Sequence, residues 1–391
     1  MTTENTYILH LPHWYPSDDD EQFGVFTQKH IRSSLPYFQN VVIYVDGVDY
    51  KVRQPEVSFK SNQGIDEYVV HYHKLRNKGF GGKLKNIRNY YKGFRLAWES
   101  VKRDHGKPAL VNVHVLLRPG LMALLLKVFN GIPYVITEHW TGYASGVYSQ
   151  KSFIYRYLCR LCLRRSSGLG VVSARLQESM NKQELIHPNT VVIPNVIDNF
   201  PIPKPPKTHG KAVILTVADL ADRNKNISGS LYAMKELTSL GFDFDFHIVG
   251  GGHDEESLKN LTIKLELTDK VNFHGRQSNQ YVLDLLPSID FMLVNSRVET
   301  FSVVSAEALA CGKPVVVTKS GGPEAFVNND CGVVIDTDDE ESLVFALEDM
   351  IKHYSVYKPH KMQEHIQGLF NEEIIGNAWK EFYNTCLNHK A

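Results

Sequence analysis

The sequence lacks several features that define large classes of protein. Its 391 residues carry 43 Lys and Arg against 43 Asp and Glu, and this balance removes a general electrostatic case for binding nucleic acid. No apolar run approaches the ~20 residues that cross a bilayer. The longest candidate, residues 121–136, is interrupted by Lys127, Asn130 and Pro133. We therefore do not expect an integral membrane protein.

The start of the chain lacks the pattern of a secretory signal. Residues 1–11 run directly into an apolar strand pattern, with no charged leader, long apolar core or small-residue cleavage site. We therefore expect the protein in the cytoplasm.

Cysteine is scarce and scattered, with five positions: Cys159, Cys162, Cys311, Cys331 and Cys386. Cys159 and Cys162 have helical spacing, but no second pair completes a zinc site. We interpret both as buried or half-buried helix thiols, with metal or redox use as the alternative.

Glycine is sparse in the first predicted β-α turn. An apolar strand over residues 7–11 is followed by a polar loop and a helix from Val25, which resembles the first step of a Rossmann-like domain. Gly24 is the only glycine of this turn, so the fingerprint Gly-x-Gly-x-x-Gly is absent. This absence argues against NAD as a ligand.

The most informative segment that is present runs from Asp290 to Glu324. It has the pattern of a short apolar strand over residues 291–294, a polar turn, a helix, a stop at Gly312-Lys313-Pro314 and a second apolar strand. In such a β-α-β unit the end of the strand and the start of the helix border a crevice, where free N–H groups favour anionic oxygens.

Two carboxylates lie in this unit. Glu299 falls in the turn, and Glu307 follows eight residues later, which is about 12 Å along a helix axis. They are too far apart to act as a paired acid and base, but they could hold two parts of one nucleotide-sized ligand. Either could instead be an exposed helix acid, although Glu307 stands between Ala306 and Ala308, where an unpaired charge is costly.

One further candidate is His139, which follows a predicted strand over residues 133–137. The position just past the carboxyl end of a buried strand is where an α/β sheet presents groups to a ligand. A structural histidine is the alternative, and the position leaves the two interpretations balanced.

Residues 74–103 contain ten Lys or Arg and a single acid, with apolar side chains at helical spacing between them. One interpretation is a surface helix whose apolar stripe packs on the sheet. The other is a patch that meets anionic lipid headgroups, to which each base adds about 1 kcal/mol. Residues 151–165 repeat the basic-aromatic pattern, and single-stranded nucleic acid is a distant third interpretation.

Residues 201–210 are rich in proline and have no periodic apolar pattern, which predicts a stiff linker. We therefore predict one α/β domain over residues 1–200 and a second over residues 201–365. A C-terminal helix over residues 366–391 is expected to pack back on the first domain.

Several motifs of the second half, taken in order, resemble the retaining glycosyltransferases of family 4. These are Val249-Gly-Gly-Gly252, residues 271–275, the strand over residues 290–296, Glu299-x7-Glu307, Ala310-Cys-Gly-Lys-Pro314 and Gly321-Gly-Pro-Glu324. The resemblance is close over residues 170–340 and loose over the first third. It implies the GT-B fold, with two Rossmann-like domains that face each other across a cleft, the first binding the acceptor and the second the nucleotide sugar.

The resemblance also implies roles for residues of the second domain. Glu307 would bind the ribose hydroxyls of the donor, and Lys225 would neutralise its diphosphate. Glu299 would face the donor sugar. The backbone of Thr300, Phe301 and Ser302 and the glycine turn at Gly250 and Gly251 would complete the donor site.

In the first domain, His139 would lie beside the reacting centre and Gly24 would approach the donor phosphates. The sequence departs from the family pattern in two places. An arginine expected near Asp219 is missing, and Arg223 stands in a loop that is one residue longer; Gly24 is followed by Val25 instead of a second glycine.

The implied activity is that of a metal-independent hexosyltransferase (EC 2.4) without a cofactor beyond its nucleotide diphosphate sugar. The acceptor would be a glycan or a lipid-linked glycan, in cell-surface polysaccharide or glycolipid biosynthesis. Residues 74–103 and 151–165 would then hold the protein at the inner face of the membrane. A catalytically silent GT-B module that senses sugar nucleotides or adapts to a membrane, and a GT-B epimerase or phosphorylase, stay open as alternatives.

Overall fold

The structure is a computed structural model that describes residues 7–17, 20, 22–76, 79–198, 200–201 and 210–388. The chain forms two compact units, the first made of Met1–Val196 with Glu372–Ala391 and the second of Ile197–Asn371. The predicted linker over residues 201–210 lies outside the described residues except for its first and last positions.

The described residues form fourteen strands and thirteen α-helices. The strands are β1 (Tyr7–Pro12), β2 (Gln39–Val48), β3 (Val57–Asn62), β4 (Ile65–His73), β5 (Leu110–His114), β6 (Tyr134–Glu138), β7 (Leu169–Val171), β8 (Thr190–Val192), β9 (Ala212–Val217), β10 (Phe244–Val249), β11 (Val271–Gly275), β12 (Phe291–Val294), β13 (Val315–Thr318) and β14 (Gly332–Ile335). The helices are α1 (Val25–Ser33), α2 (Gly79–His105), α3 (Pro119–Asn130), α4 (Phe153–Arg165), α5 (Ala174–Lys182), α6 (Asp222–Lys225), α7 (Ile227–Ser239), α8 (Glu255–Lys264), α9 (Asn279–Leu285), α10 (Val303–Ala310), α11 (Glu340–His353), α12 (Pro359–Phe370) and α13 (Glu372–Asn388).

The sheet of the first unit has the strand order β3-β4-β2-β1-β5-β6-β7-β8. All neighbours pair in parallel except β3 and β4, which are antiparallel. Every residue of β1, β5 and β6 is buried, which is typical of parallel strands covered on both faces. The sequence does not predict β3, because its residues are mostly polar and exposed and carry no burial pattern.

The sheet of the second unit is parallel throughout and has the order β11-β10-β9-β12-β13-β14. Counted from β9, this is the order 3-2-1-4-5-6 of dinucleotide-binding Rossmann domains. The chain turns toward β10 after β9 and toward β13 after β12. The loops at the carboxyl ends of these two neighbouring strands therefore separate and open a crevice, where ligands of such sheets bind.

The C-terminal segment differs from the predicted single helix over residues 366–391. The helix α12 ends at Phe370, Asn371 has an extended backbone, and α13 begins at Glu372. Since Trp379 of α13 packs in one core with Ile8 and other residues of the central strands, α13 belongs to the first unit.

No α-helix in the described ranges combines the length and the apolar character that a bilayer-spanning helix needs.

Candidate active site

An ion pair bridges the two loops that border the crevice of the second unit. Lys225, at the end of α6, follows β9, and Glu299 follows β12. The Nζ atom of Lys225 lies 2.6 Å from Oε1 of Glu299, and the Ser296 hydroxyl donates a hydrogen bond of 2.8 Å to the same oxygen. Both charged side chains are largely shielded from solvent, so this site presents a fixed cation beside a fixed carboxylate.

Arg297 holds these two loops together, and the sequence does not single it out. Its guanidinium donates to the carbonyl oxygen of Asp222 at 2.9 Å and to Oδ1 of Asn226 at 2.7 Å, and it pairs with Asp338 at 2.5 Å. Its own N–H donates to the carbonyl oxygen of Asn224 at 2.7 Å. Arg297 is thus a positioning residue for the Lys225 loop, and no local pattern could reveal partners more than seventy residues away.

The turn between Glu299 and α10 leaves N–H groups uncovered. The Glu299 N–H donates to the carbonyl oxygen of Ser320 at 3.0 Å. Ser302 has a left-handed backbone (φ 70°) and precedes the first helical residue. Within the described residues, the N–H groups of Phe301 and Ser302 have no hydrogen-bond acceptor. These donors and the helix dipole favour an anion at this end of α10.

Glu307 lies inside α10 and is only 2% exposed, between the fully buried Ala306 and Ala308. The interpretation of Glu307 as an exposed helix acid is therefore wrong. Burial and the nearby Glu307 carboxylate raise the pKa of the Cys311 thiol to about 12, which keeps that thiol protonated at neutral pH.

The predicted glycine turn follows β10 and packs against the Lys225 loop. Gly250 has φ 139°, and a Cβ atom there would lie 1.8 Å from the carbonyl oxygen of Ala218. The Leu220 N–H donates to the carbonyl oxygen of Gly251 at 3.1 Å. Only glycine permits this approach at position 250, so the turn fixes the loop that carries Lys225.

Arg223 lies on the same loop and is exposed. Its guanidinium makes no hydrogen bond or ion pair with any residue that the structure describes. The cation is therefore open to an anionic ligand. That Arg223 replaces the arginine missing at Asp219 stays a prediction.

In the first unit, a buried carboxylate organises the loop that carries His139. Glu138 accepts hydrogen bonds from the N–H groups of Leu116 (2.7 Å), His139 (3.1 Å) and Trp140 (3.3 Å) and from the Tyr143 hydroxyl (2.8 Å). Burial raises the pKa of Glu138, and these four donors oppose the shift. Local pattern does not reveal this role of Glu138, although Glu138 ends the buried strand β6 next to His139.

The imidazole of His139 is 7% exposed. Its ring centroid lies 4.9 Å from Phe26, 5.2 Å from His30 and 5.9 Å from His114. Burial, and then the charge of a protonated His30, lower the pKa of His139 well below its usual value. His139 is therefore neutral at physiological pH.

Gly24 begins α1 with a left-handed backbone (φ 78°). A Cβ atom there would lie 2.3 Å from the carbonyl carbon of Trp14. This close approach seats the start of α1 on the loop that follows β1, at the crevice of the first sheet, where β1 and β5 are neighbours. The contact with donor phosphates stays a prediction.

The two cysteines of α4, Cys159 and Cys162, are buried, as the sequence predicts, and burial raises the pKa of both thiols. In the part of the chain that the structure describes, no three His, Cys, Asp or Glu side chains come together as potential metal ligands.

The first basic-aromatic segment forms most of helix α2, and the two halves of this helix differ in burial. Phe94, Trp98 and other residues of its second half are buried where the helix packs on β2 and β4. In its first half, Leu84, Ile87 and Tyr91 are 58%, 66% and 47% exposed. The interpretation that the whole apolar stripe packs on the sheet is therefore wrong for this half.

Beside the exposed half lies a cavity of about 510 Å³ between α2, the end of β4 and the loop after β2. Its described lining residues include Arg53, Lys85, Arg88, Lys92 and Arg95 and no carboxylate. The first four make no ion pair with any described residue, and Arg95 lies 3.7 Å from Glu99. The cavity therefore presents a concentrated positive charge.

Two Rossmann-like units in one chain are the architecture of the GT-B class of glycosyltransferase folds. Solved structures agree with this assignment. Sucrose-phosphate synthase from Thermosynechococcus elongatus superposes with a TM-score of 0.78 at 17% identity, over 98% of this chain and 100% of that chain. The Anabaena protein HepE in complex with UDP and glucose superposes with a TM-score of 0.72 at 17% identity, over 97% and 99%.

The family is assigned from sequence. The family described as "Glycosyl transferases group 1" matches residues 199–367, and "Glycosyltransferase Family 4" matches residues 41–199. The chain belongs to the family 4, group 1 glycosyltransferases.

Curated relatives agree at lower coverage. A glycosyltransferase of Methanocaldococcus jannaschii is 23% identical over 73% of this chain and 77% of that protein. The lipopolysaccharide core biosynthesis glycosyltransferase LpsD of Rhizobium meliloti is 26% identical over 48% of this chain. The match spans 57% of LpsD, less than two thirds of its length.

Proposed function

We propose that the protein is a retaining glycosyltransferase. It moves a hexose-type sugar from a nucleotide diphosphate sugar to a glycan or lipid-linked acceptor, in cell-surface polysaccharide or glycolipid biosynthesis. The observation that carries the proposal is the Lys225–Glu299 ion pair beside the uncovered N–H groups before α10. The role of LpsD in lipopolysaccharide core biosynthesis supports the proposed pathway class.

The donor binds in the crevice of the second unit. Its diphosphate takes the N–H groups of Phe301 and Ser302 and displaces Glu299 as the partner of the Lys225 ammonium. Glu299 then accepts hydrogen bonds from the hydroxyls of the donor sugar. By the family resemblance, Glu307 accepts hydrogen bonds from the ribose hydroxyls of the donor.

The chemical step is departure of the nucleoside diphosphate while the acceptor hydroxyl attacks from the same face. Lys225, Arg223 and the aimed N–H groups stabilise the charge that develops on the leaving oxygens, so the proposed reaction needs no metal ion. The leaving phosphate takes the acceptor proton. His139 stays the predicted histidine beside the reacting centre, and because burial keeps its imidazole neutral, it would add no second positive charge to the oxocarbenium-like state.

The acceptor is held by the first unit at a membrane surface. Exposed apolar side chains on the first half of α2 stand next to the basic cavity, and such a combination binds anionic lipid through buried apolar area and charge together. The first two turns of α4 add the exposed side chains of Phe153, Ile154 and Tyr157.

Donor binding is tested first by thermal shift with UDP, GDP, ADP and their sugars, since a ligand of the folded state raises the unfolding midpoint. Glu307→Ala is expected to raise the KM for the donor about tenfold with little change in kcat, because it removes binding shared by ground and transition states. Lys225→Ala is expected to lower kcat by about 10²–10³-fold, because it removes charge stabilisation of the leaving diphosphate.

Lys235→Ala is the matched control, because the Lys235–Glu266 pair is exposed on the surface of the second unit. Unchanged kinetics in both Glu307→Ala and Lys225→Ala would contradict the assignment of the donor site. Nucleotide binding without turnover would identify a silent sugar-nucleotide module. Conversion of a nucleotide sugar without acceptor would identify an epimerase, and a requirement for inorganic phosphate a phosphorylase.

A further inference from the structure

A second cavity, of about 260 Å³, lies in the first unit at the carboxyl ends of β1, β5 and β6. Side chains from all three following loops and from α4 line it, among them His13, Trp14, Arg118, Trp140, Lys151 and Tyr155. This is the switch point of the first sheet, because β1 and β5 are neighbours while the chain continues in opposite directions.

The lining is cationic and aromatic. Among the residues that the structure describes, no carboxylate lines the cavity, and neither Arg118 nor Lys151 forms an ion pair with any of them. The Lys151 ammonium lies 5.9 Å from the ring centroid of Trp140 and 5.9 Å from that of Tyr155. Its positive charge is thus held over flat apolar surfaces rather than neutralised.

The loop that carries Arg118 has a costly backbone conformation. Val115 has φ 70° and Arg118 has φ 69°, a region that β-branched residues such as valine rarely adopt. Hydrogen bonds hold the loop: the Val115 N–H donates to the carbonyl oxygen of Thr137 at 2.8 Å, and the Leu116 N–H donates to Glu138 at 2.7 Å. Residues held in such regions cluster at ligand sites.

One buried carboxylate holds both walls of the cavity. Glu138 accepts from Leu116, which precedes Arg118, and from the N–H of Trp140. The cation and the aromatic ring are therefore fixed relative to each other before any ligand arrives. Such preorganisation reduces the entropy lost on binding.

His13 is a neutral member of this site. Burial, and then the charges of Arg118 and Lys74, lower the pKa of His13 to about 4. A neutral imidazole can exchange hydrogen bonds with hydroxyl groups, whereas Arg118 and Lys151 supply the charge for an anion.

We propose that this cavity is an acceptor subsite that binds a phosphorylated sugar. The apolar C–H face of the sugar ring packs on the Trp140 indole and the Tyr155 ring, and its phosphate oxygens pair with Arg118 and Lys151. The volume is slightly below the ~300–1,000 Å³ of drug-sized sites, and it suits one sugar with its phosphate. The inference rests on the proposed function, since it gives the chemical class of the acceptor.

The phosphate belongs to a lipid-linked sugar or to a free sugar phosphate. Tyr155 of the cavity lies in α4 beside Phe153 and Ile154, both exposed. A lipid attached to the phosphate would find apolar side chains next to the subsite, so we expect the lipid-linked source to bind more tightly.

The test measures binding of glucose 1-phosphate, galactose 1-phosphate and N-acetylglucosamine 1-phosphate to the full chain by calorimetry. At least one is expected to bind at least tenfold more tightly than both inorganic phosphate and the matching methyl glycoside. Arg118→Gln and Lys151→Gln are each expected to weaken that binding at least tenfold. Lys182→Gln, on the exposed surface of α5, is the matched control and should leave it unchanged.

Sugar phosphates could also enter the donor site, so binding is repeated in the Lys225→Ala variant, where it should be retained. Phosphatidylcholine vesicles that carry a prenyl diphosphate sugar form a second arm. If the protein is retained more tightly on these vesicles than on plain vesicles, and Lys151→Gln abolishes the difference, the source is lipid-linked. Binding of the free sugar phosphate, with equal retention on both kinds of vesicle, indicates the soluble source.

The subsite is overturned if no sugar phosphate binds, if binding survives both Arg118→Gln and Lys151→Gln, or if Lys225→Ala abolishes it. Far-ultraviolet circular dichroism checks that each variant folds. If Arg118→Gln does not fold, the result of Lys151→Gln decides. The thermal shift with nucleotides reports the donor site separately. If nucleotides bind but the Arg118 and Lys151 substitutions do not change sugar-phosphate binding, only the subsite is ruled out. If no nucleotide binds, the proposed function is ruled out.

Discussion

Four buried histidines form a cluster inside the first unit. Nδ1 of His10 lies 3.1 Å from Nε2 of His114, and Nε2 of His10 lies 2.9 Å from Oδ1 of Asn40. His30 contacts Oδ1 of Asn195 at 3.0 Å and accepts the indole N–H of Trp379 at 3.2 Å. The ring of His139 packs on this cluster. Protonation of His10 or His30 would place a charge beside the neutral side chains of Asn40, Asn195 and Trp379.

This cluster predicts a loss of stability in mild acid. Burial lowers the pKa of both His10 and His30 to about 4, whereas unfolded histidine titrates near pH ~6.5. Between these values the unfolded state binds more protons, so stability is complete above pH ~6.5 and decreases as the pH falls toward ~4, by up to about 3 kcal/mol per histidine. Urea unfolding at pH 7.5 and 5.0 measures the change.

The exposed His360 of α12 provides the control, since His360→Gln should leave this pH dependence unaltered. A His10→Gln, His30→Gln double variant should show a shallower dependence. Equal unfolding free energies at the two pH values in the unsubstituted protein would contradict the explanation.

At the scale of an element, α2 combines two functions along its 27 residues. Its second half closes the core of the first unit, and its first half leaves Leu84, Ile87 and Tyr91 in solvent among lysines and arginines. Their spacing of three and four residues places them on one helix face. The helical spacing of apolar residues is therefore the same in both halves of α2, although one half packs on the sheet and the other is exposed.

This exposed face predicts binding to anionic membranes. A Leu84→Ser, Ile87→Ser, Tyr91→Ser variant should lose at least tenfold of its partitioning to vesicles that contain anionic lipid, because the apolar area no longer enters the interface. Vesicle flotation measures the partitioning. Phe345→Ser, which removes a still more exposed apolar side chain from α11 of the second unit, should not change it.

High salt should weaken the flotation of the unsubstituted protein, since the Lys and Arg contribution is screened. Flotation of the triple variant at the level of the unsubstituted protein would refute the assignment of this face to the membrane.

At the scale of the whole molecule, each unit has a core of its own. The second core surrounds β9, β10 and β12, and the first includes Trp379, Phe382 and Tyr383 of α13. Residues from the two ends of the chain thus share one core, since Ile8 and Trp379 both belong to it. The stability of the first unit therefore depends on a segment that follows the second unit in sequence.

Trp379→Ala should reduce the free energy of unfolding of the first unit by about 3–5 kcal/mol, because it leaves a large cavity and removes the donor to His30. Calorimetry should show one transition moved to lower temperature and the transition of the second unit in place. Trp379→Phe should have a smaller effect, and an equal shift of both transitions would contradict the division into two cores.

The sequence supports a prediction of most elements of the second unit and of its family. The apolar strands over residues 291–294 and 315–317, the helix between them and the glycine turn at Gly250 all follow from local pattern. The weak points are elements without a burial pattern, such as β3, and boundaries set by tertiary contacts, such as the start of α13 at Glu372.

By itself the sequence determined the alternation of strands and helices, the zero net charge and the ordered motifs that identify the family. Those properties are local, because periodicity and turn chemistry depend on neighbours within a few residues. Tertiary structure alone decided that Lys225 meets Glu299, that Glu138 braces Arg118 and Trp140, and that half of α2 stays exposed. These contacts depend on strand order and on which surfaces pack together, and a pattern within one segment contains no information about a partner seventy residues away.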